Sequence, residues 1–407
     1  MLDEVGLYYF PMPMATTFNN GEHEKMIIVN GIVHDARREA PRKVGIRIEN
    51  GKITAIGKLS PKRGEEVVDA KGLNVYPGLV EAHSHIGLAS YAVRAPIAND
   101  YNENTEIVTP ELDPVDAIDP MDPSFKHAIA GGVTCVGTGP GSSNVLGGTF
   151  TAIKTVGRRI DDMIVKHKVA MKCAFGENPK NVYGTKNNAS RMSTASRLRE
   201  QLAKAKEYME KRAAKGKDAK KPDYNARLES LIPVLKGEIP LKAHAHQAND
   251  IFTAIRIAKE FGVKLTIEHC TEGHLIADIL AKEGYMLAIG PSFGFPKKYE
   301  LKNKTFATPG ILAKAGCHVS IITDCGVTPQ EYLGLVAGLA VQAGMEPFAA
   351  LKAITINAAE HLGIADRVGS IEVGKDGDIV ICDGDIMSNL CKVKKVFIEG
   401  KEVYKAE

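Results

Sequence analysis

One stretch, VYPGLVEAHSHI from Val75 to Ile86, constrains this chain more than any other. It is an apolar run that leads into His83 and His85. If the run is a strand, its period of two puts both imidazoles on one side at the C-terminal end, where they can hold one metal ion from two directions. A bare HxH pair is a weak signal, because short repeats of this kind arise by chance, so it needs partners. They come in an ordered series: Glu177 in MKCAFGENP, His244 and His246 in PLKAHAHQ, His269 in KLTIEHC and Asp324 in HVSIITDCG. Each stands at or just past the end of a short apolar run, and a parallel barrel places ligands at its C-terminal mouth in this way.

Eight such runs can be counted. LNVYPGLVEAHSH, AGGVTCVGTG, NVLGGTFTAIKTVG, VAMKCAFG, IPLKAHAH, VKLTIEHC, YMLAIG and HVSIITD read as barrel strands. DIFTAIRIAKEFG, GHLIADILAKEG and YLGLVAGLAVQAGM show helical periodicity and end near glycine. The alternation predicts an α/β fold, a (β/α)8 TIM barrel over residues 75–363, with an open doubly wound sheet as the alternative that fits the distributed ligands less well. Residues 26–74 and 364–407 are rich in short strands and tight turns, and together predict one small β-sandwich formed by both chain ends. Residues 1–25 have no periodicity; they read as a flexible extension or as an arm on a neighbouring subunit, which would imply a homo-oligomer.

Composition narrows the partners. With 407 residues, 44% of them hydrophobic, one large domain and one small one are expected. A net charge of +3 gives no basis for a nucleic-acid or membrane partner. No apolar run approaches a membrane span, and the opening residues lack the basic start and clean apolar segment of a signal peptide. The seven cysteines are odd in number and without a CxxC motif. Cys135, Cys173, Cys270 and Cys317 lie in apolar runs and read as buried reduced thiols, which points to the cytoplasm. Cys270 and Cys325 adjoin candidate ligands and a thiolate can bind zinc, but strand alternation favours His269 and Asp324 as the inward residues.

The segments PGLVEAHSHIG, KAHAHQ, IEHC, IITD, NAAEHLG and GSIEVGKDGDIVI together resemble the amidohydrolase superfamily of metal-dependent hydrolases, nearest to its imidazolonepropionase-like branch. The resemblance runs from about Met26 to the C-terminus. It implies that His83, His85 and Asp324 hold one divalent ion and that His244 and His269 hold a second. Zinc is the first choice of metal, with iron or manganese as alternatives. Many relatives bridge the two ions with a lysine carboxylated by carbon dioxide, and Lys172 lies in the fourth strand run. Glu177 offers the same two oxygens unmodified and sits nearer the strand end, so it is the preferred bridge here; a site for a single ion is the third arrangement.

The expected reaction is hydrolysis of a C–N bond in a small amide, cyclic amide or dipeptide by metal-activated water. Asp324 would carry the proton from water to the leaving nitrogen, and His246 would bind the reacting carbonyl, with Gln247 as its polar neighbour. Tyr183 and Arg191, on the charged insertion that follows Glu177, are candidates to meet the substrate; the planar fork of Arg191 suits a carboxylate. Deamination of a heterocyclic amidine is the alternative chemistry, and an inactive binding protein that retains the fold is the alternative class. The PGSSNVLGG segment lacks a nucleotide-loop pattern and reads as the lead into the third strand.

Overall fold

The computed structural model describes residues 25–91, 98–215 and 221–407, so the expectation for residues 1–25 lies outside the described residues except at Lys25. Seven strands come first: β1 (Lys25–Val29), β2 (Ile32–Val33), β3 (Arg42–Lys43), β4 (Gly45–Glu49), β5 (Lys52–Gly57), β6 (Glu66–Asp69) and β7 (Asn74–Pro77). The last three are β16 (Ile379–Asp383), β17 (Lys392–Ile398) and β18 (Lys401–Lys405). They make two sheets, in the orders β5-β4-β1-β6 and β18-β17-β16-β7-β2-β3. The second sheet joins the two chain ends through the antiparallel ladder of β7 with β16. Met26, Ile28, Ile46, Ile48, Ile379 and Phe397 fill the space between the sheets.

The central sheet has eight strands in sequence order: β8 (Leu79–Ser84), β9 (Val133–Thr138), β10 (Leu146–Lys154), β11 (Ile164–Ala174), β12 (Leu241–Ala245), β13 (Leu265–His269), β14 (Met286–Ile289) and β15 (Val319–Ile321). All eight arise from the runs named above, and they curl into a barrel. One departs from a uniform (β/α)8 pattern, because β10 pairs antiparallel with both β9 and β11. The links at 139–145 and 155–163 are too short for a crossover helix, and a strand reached by such a link must reverse direction.

Helices cover the rest: α1 (Ser124–Ala130), α2 (Glu177–Tyr183), α3 (Arg191–Ala213), α4 (Ala226–Leu235), α5 (Ala248–Phe261), α6 (Ala277–Glu283), α7 (Thr308–Lys314), α8 (Leu333–Gln342), α9 (Pro347–Ala353) and α10 (Ile356–His361). In α5 the residues Ile251, Ala254, Ile255 and Ala258 recur at helical spacing and are buried on the barrel, and Gly262 ends the helix in the left-handed conformation. The charged insertion forms α3, whose Leu198, Leu202 and Ala205 face inward while Glu200–Lys204 and Glu207–Lys211 pair along the solvent side. No helix of the described residues is long and apolar enough to cross a membrane.

The barrel closes between β8 and β15 through a side chain. Glu81 Oε2 accepts from Thr323 N–H at 2.8 Å, from Thr323 Oγ1 at 2.6 Å and from Gln330 Nε2 at 2.9 Å, while Oε1 accepts from His83 N–H at 3.0 Å. Thus the strand that carries the HxH pair is fastened to the segment that carries Asp324.

Candidate metal centre

His83, His85, Lys172, His244, His246, His269 and Asp324 come together at the barrel mouth, carried by the ends of β8, β11, β12, β13 and the turn after β15. Two groups have donor atoms close enough to share an ion: His83, His269 and Asp324, and His244, His246 and His269. His269 (φ 72°) and Asp324 (φ 53°) adopt left-handed backbone conformations, which cost a non-glycine residue about 1–3 kcal/mol. His269 closes β13 and Asp324 follows β15, so both residues turn away from strand geometry at the mouth.

Every imidazole is held from outside by Nδ1. His83 Nδ1 meets Glu268 Oε2 at 3.0 Å, His85 Nδ1 meets Gly139 O at 2.7 Å and His269 Nδ1 meets Gly290 O at 2.8 Å. Carboxylate and carbonyl oxygens can only accept, so these three nitrogens carry the proton and each Nε2 presents a lone pair inward. Ser142 Oγ and Thr271 Oγ1 hold Nδ1 of His244 and His246, each at 2.7 Å. Burial keeps His83, His244 and His246 well below the usual imidazole range and lowers His269 to about 4, so these rings are neutral, as a metal ligand must be.

Three of the inward atoms have no hydrogen-bond partner among the described residues. His244 Nε2, His269 Nε2 and Asp324 Oδ1 are buried without a hydrogen bond. His85 Nε2 stands 3.2 Å from Asp324 Oδ1, lone pair towards lone pair, while His83 Nε2, 3.7 Å from the same oxygen, faces Lys172 Nζ at 3.0 Å. A divalent cation resolves this arrangement, and nitrogen with carboxylate donors suits zinc, iron or manganese.

Lys172 is fully buried, with Nζ 3.0 Å from His83 Nε2, and burial lowers its pKa to about 7. Glu177 belongs to neither group of close donor atoms. It begins α2, and its Oε1 accepts from Glu300 N–H at 3.0 Å. Arg191 Nε is bonded to both oxygens of Asp250 at 3.0 Å and its Nη2 donates to Gln247 Oε1. A substrate carboxylate would have to share that guanidinium with Asp250. Tyr183 is buried, its hydroxyl engaged with Glu103 O and Glu106 O, so it secures that loop. Cys270 packs in the core beside Leu312, away from the mouth.

Several supporting residues were not singled out from sequence. Glu268 Oε1 accepts from Thr266 Oγ1 at 2.7 Å and lies 2.9 Å from His361 Nε2, while Lys242 Nζ donates to Glu268 Oε2 at 2.8 Å and Ala82 O at 3.0 Å. Lys242 and Glu268 sit within KAHAHQ and IEHC, and a charged residue inside an apolar strand run is the signal that could have found them. Ser142 belongs to PGSSNVLGG, which composition alone marks only as a loop.

A barrel whose mouth gathers five imidazoles, a carboxylate and a lysine defines a class of protein with a built site for one or two divalent ions. The sequence profile of the Amidohydrolase family matches residues 74–403, and the chain belongs to that family. The solved structure of an amidohydrolase from Thermotoga maritima MSB8 is 38% identical with a TM-score of 0.90, covering 94% of this chain and 100% of that one. Amidohydrolase tasK from Hapsidospora irregularis is 26% identical over 388 residues, which is 87% of this chain and 39% of that protein. An imidazolonepropionase from Desulfotalea psychrophila is 29% identical over 179 residues, 40% of each chain. The chain thus spans 39% and 40% of the lengths of these two curated relatives. A Xaa-Pro dipeptidase with bound methionine shares the fold at 18% identity and a TM-score of 0.61, over 94% of this chain and 100% of that one.

Proposed function

We propose that this chain is a metal-dependent hydrolase that cleaves a C–N bond in a small amide, cyclic amide or dipeptide, with water as the nucleophile. The observation that carries this reading is the unsatisfied facing of His85 Nε2 and Asp324 Oδ1 at 3.2 Å, among rings whose outer nitrogens are already engaged. When bound, the divalent ions supply a water of lowered pKa and polarise the carbonyl that it attacks. His83, His85 and Asp324 would hold one ion; His244 and His269 would hold the other. Zinc is proposed, with iron or manganese as the alternatives.

Lys172 would help to hold the ions once carboxylated. Its neutral amine adds to the carbon of carbon dioxide and loses a proton, leaving a carbamate with two oxygens. Glu177, the alternative, already has Oε1 engaged with Glu300 N–H. Asp324 takes a proton from the attacking water and returns it to the leaving nitrogen. With Thr271 Oγ1 donating to Nδ1, His246 can use an Nε2–H to hold the carbonyl oxygen. Arg191, beside Gln247, is the proposed partner of a substrate carboxylate. Partial matches to imidazolonepropionases support placement near that branch, and seven unpaired cysteines support a reducing compartment such as the cytoplasm.

The test is metal analysis of the purified chain together with a matched panel of dipeptides, N-acyl amino acids, cyclic amides and heterocyclic amidines. Zinc-loaded protein is expected to turn over at least one amide. Turnover of amidines alone would replace the reading with deamination, and no turnover at all would favour an inactive binding protein.

A further inference from the structure

Glu300 is a charged side chain that the hydrolase reading does not use. It lies between β14 and α7, and its side chain is wholly buried. A reciprocal clamp fixes it: Oε2 accepts from Glu177 N–H at 2.9 Å, and Glu300 N–H donates to Glu177 Oε1 at 3.0 Å. Gly176, at φ 82°, makes room for it, since a Cβ there would stand 2.3 Å from Glu300 Oε2. The other oxygen turns to the mouth, 3.6 Å from His246 Nε2 and 3.8 Å from His244 Nε2. A carboxylate taken out of water is costly unless it is paired. Its ammonium partner is Lys298, with Nζ at 2.6 Å, and Lys298 also donates to Asn178 Oδ1 at 2.9 Å.

We propose that Glu300 recognises a protonated amine on the acyl side of the scissile amide, so that the substrates are aminoacyl amides in preference to N-acylated amides or lactams. This rests on the hydrolase reading for the position of the carbonyl at His246. An amine one carbon from that carbonyl falls within reach of Oε1. Lys298 demonstrates that an ammonium fits there; its side chain is 24% exposed, so it can withdraw to Asn178 and solvent when another cation arrives. A neutral acyl group gains nothing from the same oxygen.

The experiment compares glycine hydroxamate with propionohydroxamate by calorimetric titration of the zinc-loaded full chain. The two ligands have the same shape and differ by an ammonium in place of a methyl group. Glycine hydroxamate is expected to bind at least about tenfold more tightly, as a charge-assisted hydrogen bond should give. Glu300→Gln should abolish the difference, and Lys298→Met, which removes the competing cation, should widen it. Equal affinities in the wild type, or a preference that survives Glu300→Gln, would overturn the proposal. If Glu300→Gln does not fold, an unchanged preference in Lys298→Met overturns it instead. Zinc content of the same samples reports on the hydrolase reading separately.

Discussion

Glu268 Oε2 lies 3.0 Å from His83 Nδ1 and 2.8 Å from Lys242 Nζ, so one buried carboxylate both fixes the orientation of a ring at the candidate centre and neutralises a cation beneath it. Glu268→Gln should therefore do two things. Metal affinity should fall about 10- to 100-fold, because the ring loses its orienting partner. Stability should fall by about 3–5 kcal/mol, because Lys242 is left without its counter-charge. Metal titration and denaturant unfolding of the metal-free protein separate the two effects.

Lys172 and Glu177 should respond differently to replacement. Lys172→Met should lower metal content and make it insensitive to bicarbonate, whereas the wild type should gain metal when bicarbonate is supplied. Glu177→Gln, which leaves Lys172 untouched, should keep that bicarbonate response. Metal analysis of both variants, with and without bicarbonate, is sufficient; a bicarbonate response in Lys172→Met would rule out the carbamate.

Asp324→Asn should lower turnover by about two orders of magnitude or more, the usual worth of a positioned proton carrier. Metal content must be measured alongside, since loss of the ion would mimic loss of the base. Full activity at full metal occupancy would remove Asp324 from the reaction.

The sandwich contributes an acid-sensitive group. Burial alone would raise Glu372, but Ser370 Oγ at 2.5 Å, Arg37 Nε at 2.8 Å and Lys375 Nζ at 3.1 Å reverse this and hold it at about 2, below its ordinary 4.5. A carboxyl with a depressed folded pKa stabilises the fold above the unfolded pKa, and that contribution is lost as pH falls through the folded one. Thermal midpoints should therefore drop between pH 4.5 and about 2. Glu372→Gln should flatten that drop; an unchanged acid profile would show that the cluster is not responsible.

The eight barrel strands were legible because each is a short apolar run, and His83, His244, His269 and Asp324 stand where those runs stop. Strand direction was not legible: periodicity is the same read either way, and only the shortness of the 139–145 link hints that β10 reverses. Distances beyond a strand end were equally hidden. Ala174 pairs with His244 in the ladder, so Glu177 falls past the rim and into α2, where it meets Glu300. Glu300 itself follows no strand closely and carries no spacing signal. Lys242 and Glu268 were visible as charges in apolar runs, but their partnership depends on a register that sequence does not specify.

The seam between β8 and β15 gives the ion a second task. Glu81 and Thr323 are separated by 242 positions along the chain, yet His83 and His85 lie on one side of their contact and Asp324 on the other. An ion held across that line would act as a clasp on a ring of staves, so that its binding and the closing of the ring would strengthen each other. Chelation should loosen the first and last staves before the middle ones, so the Thr323 amide should exchange its hydrogen faster while those of β12 and β13 keep their pace.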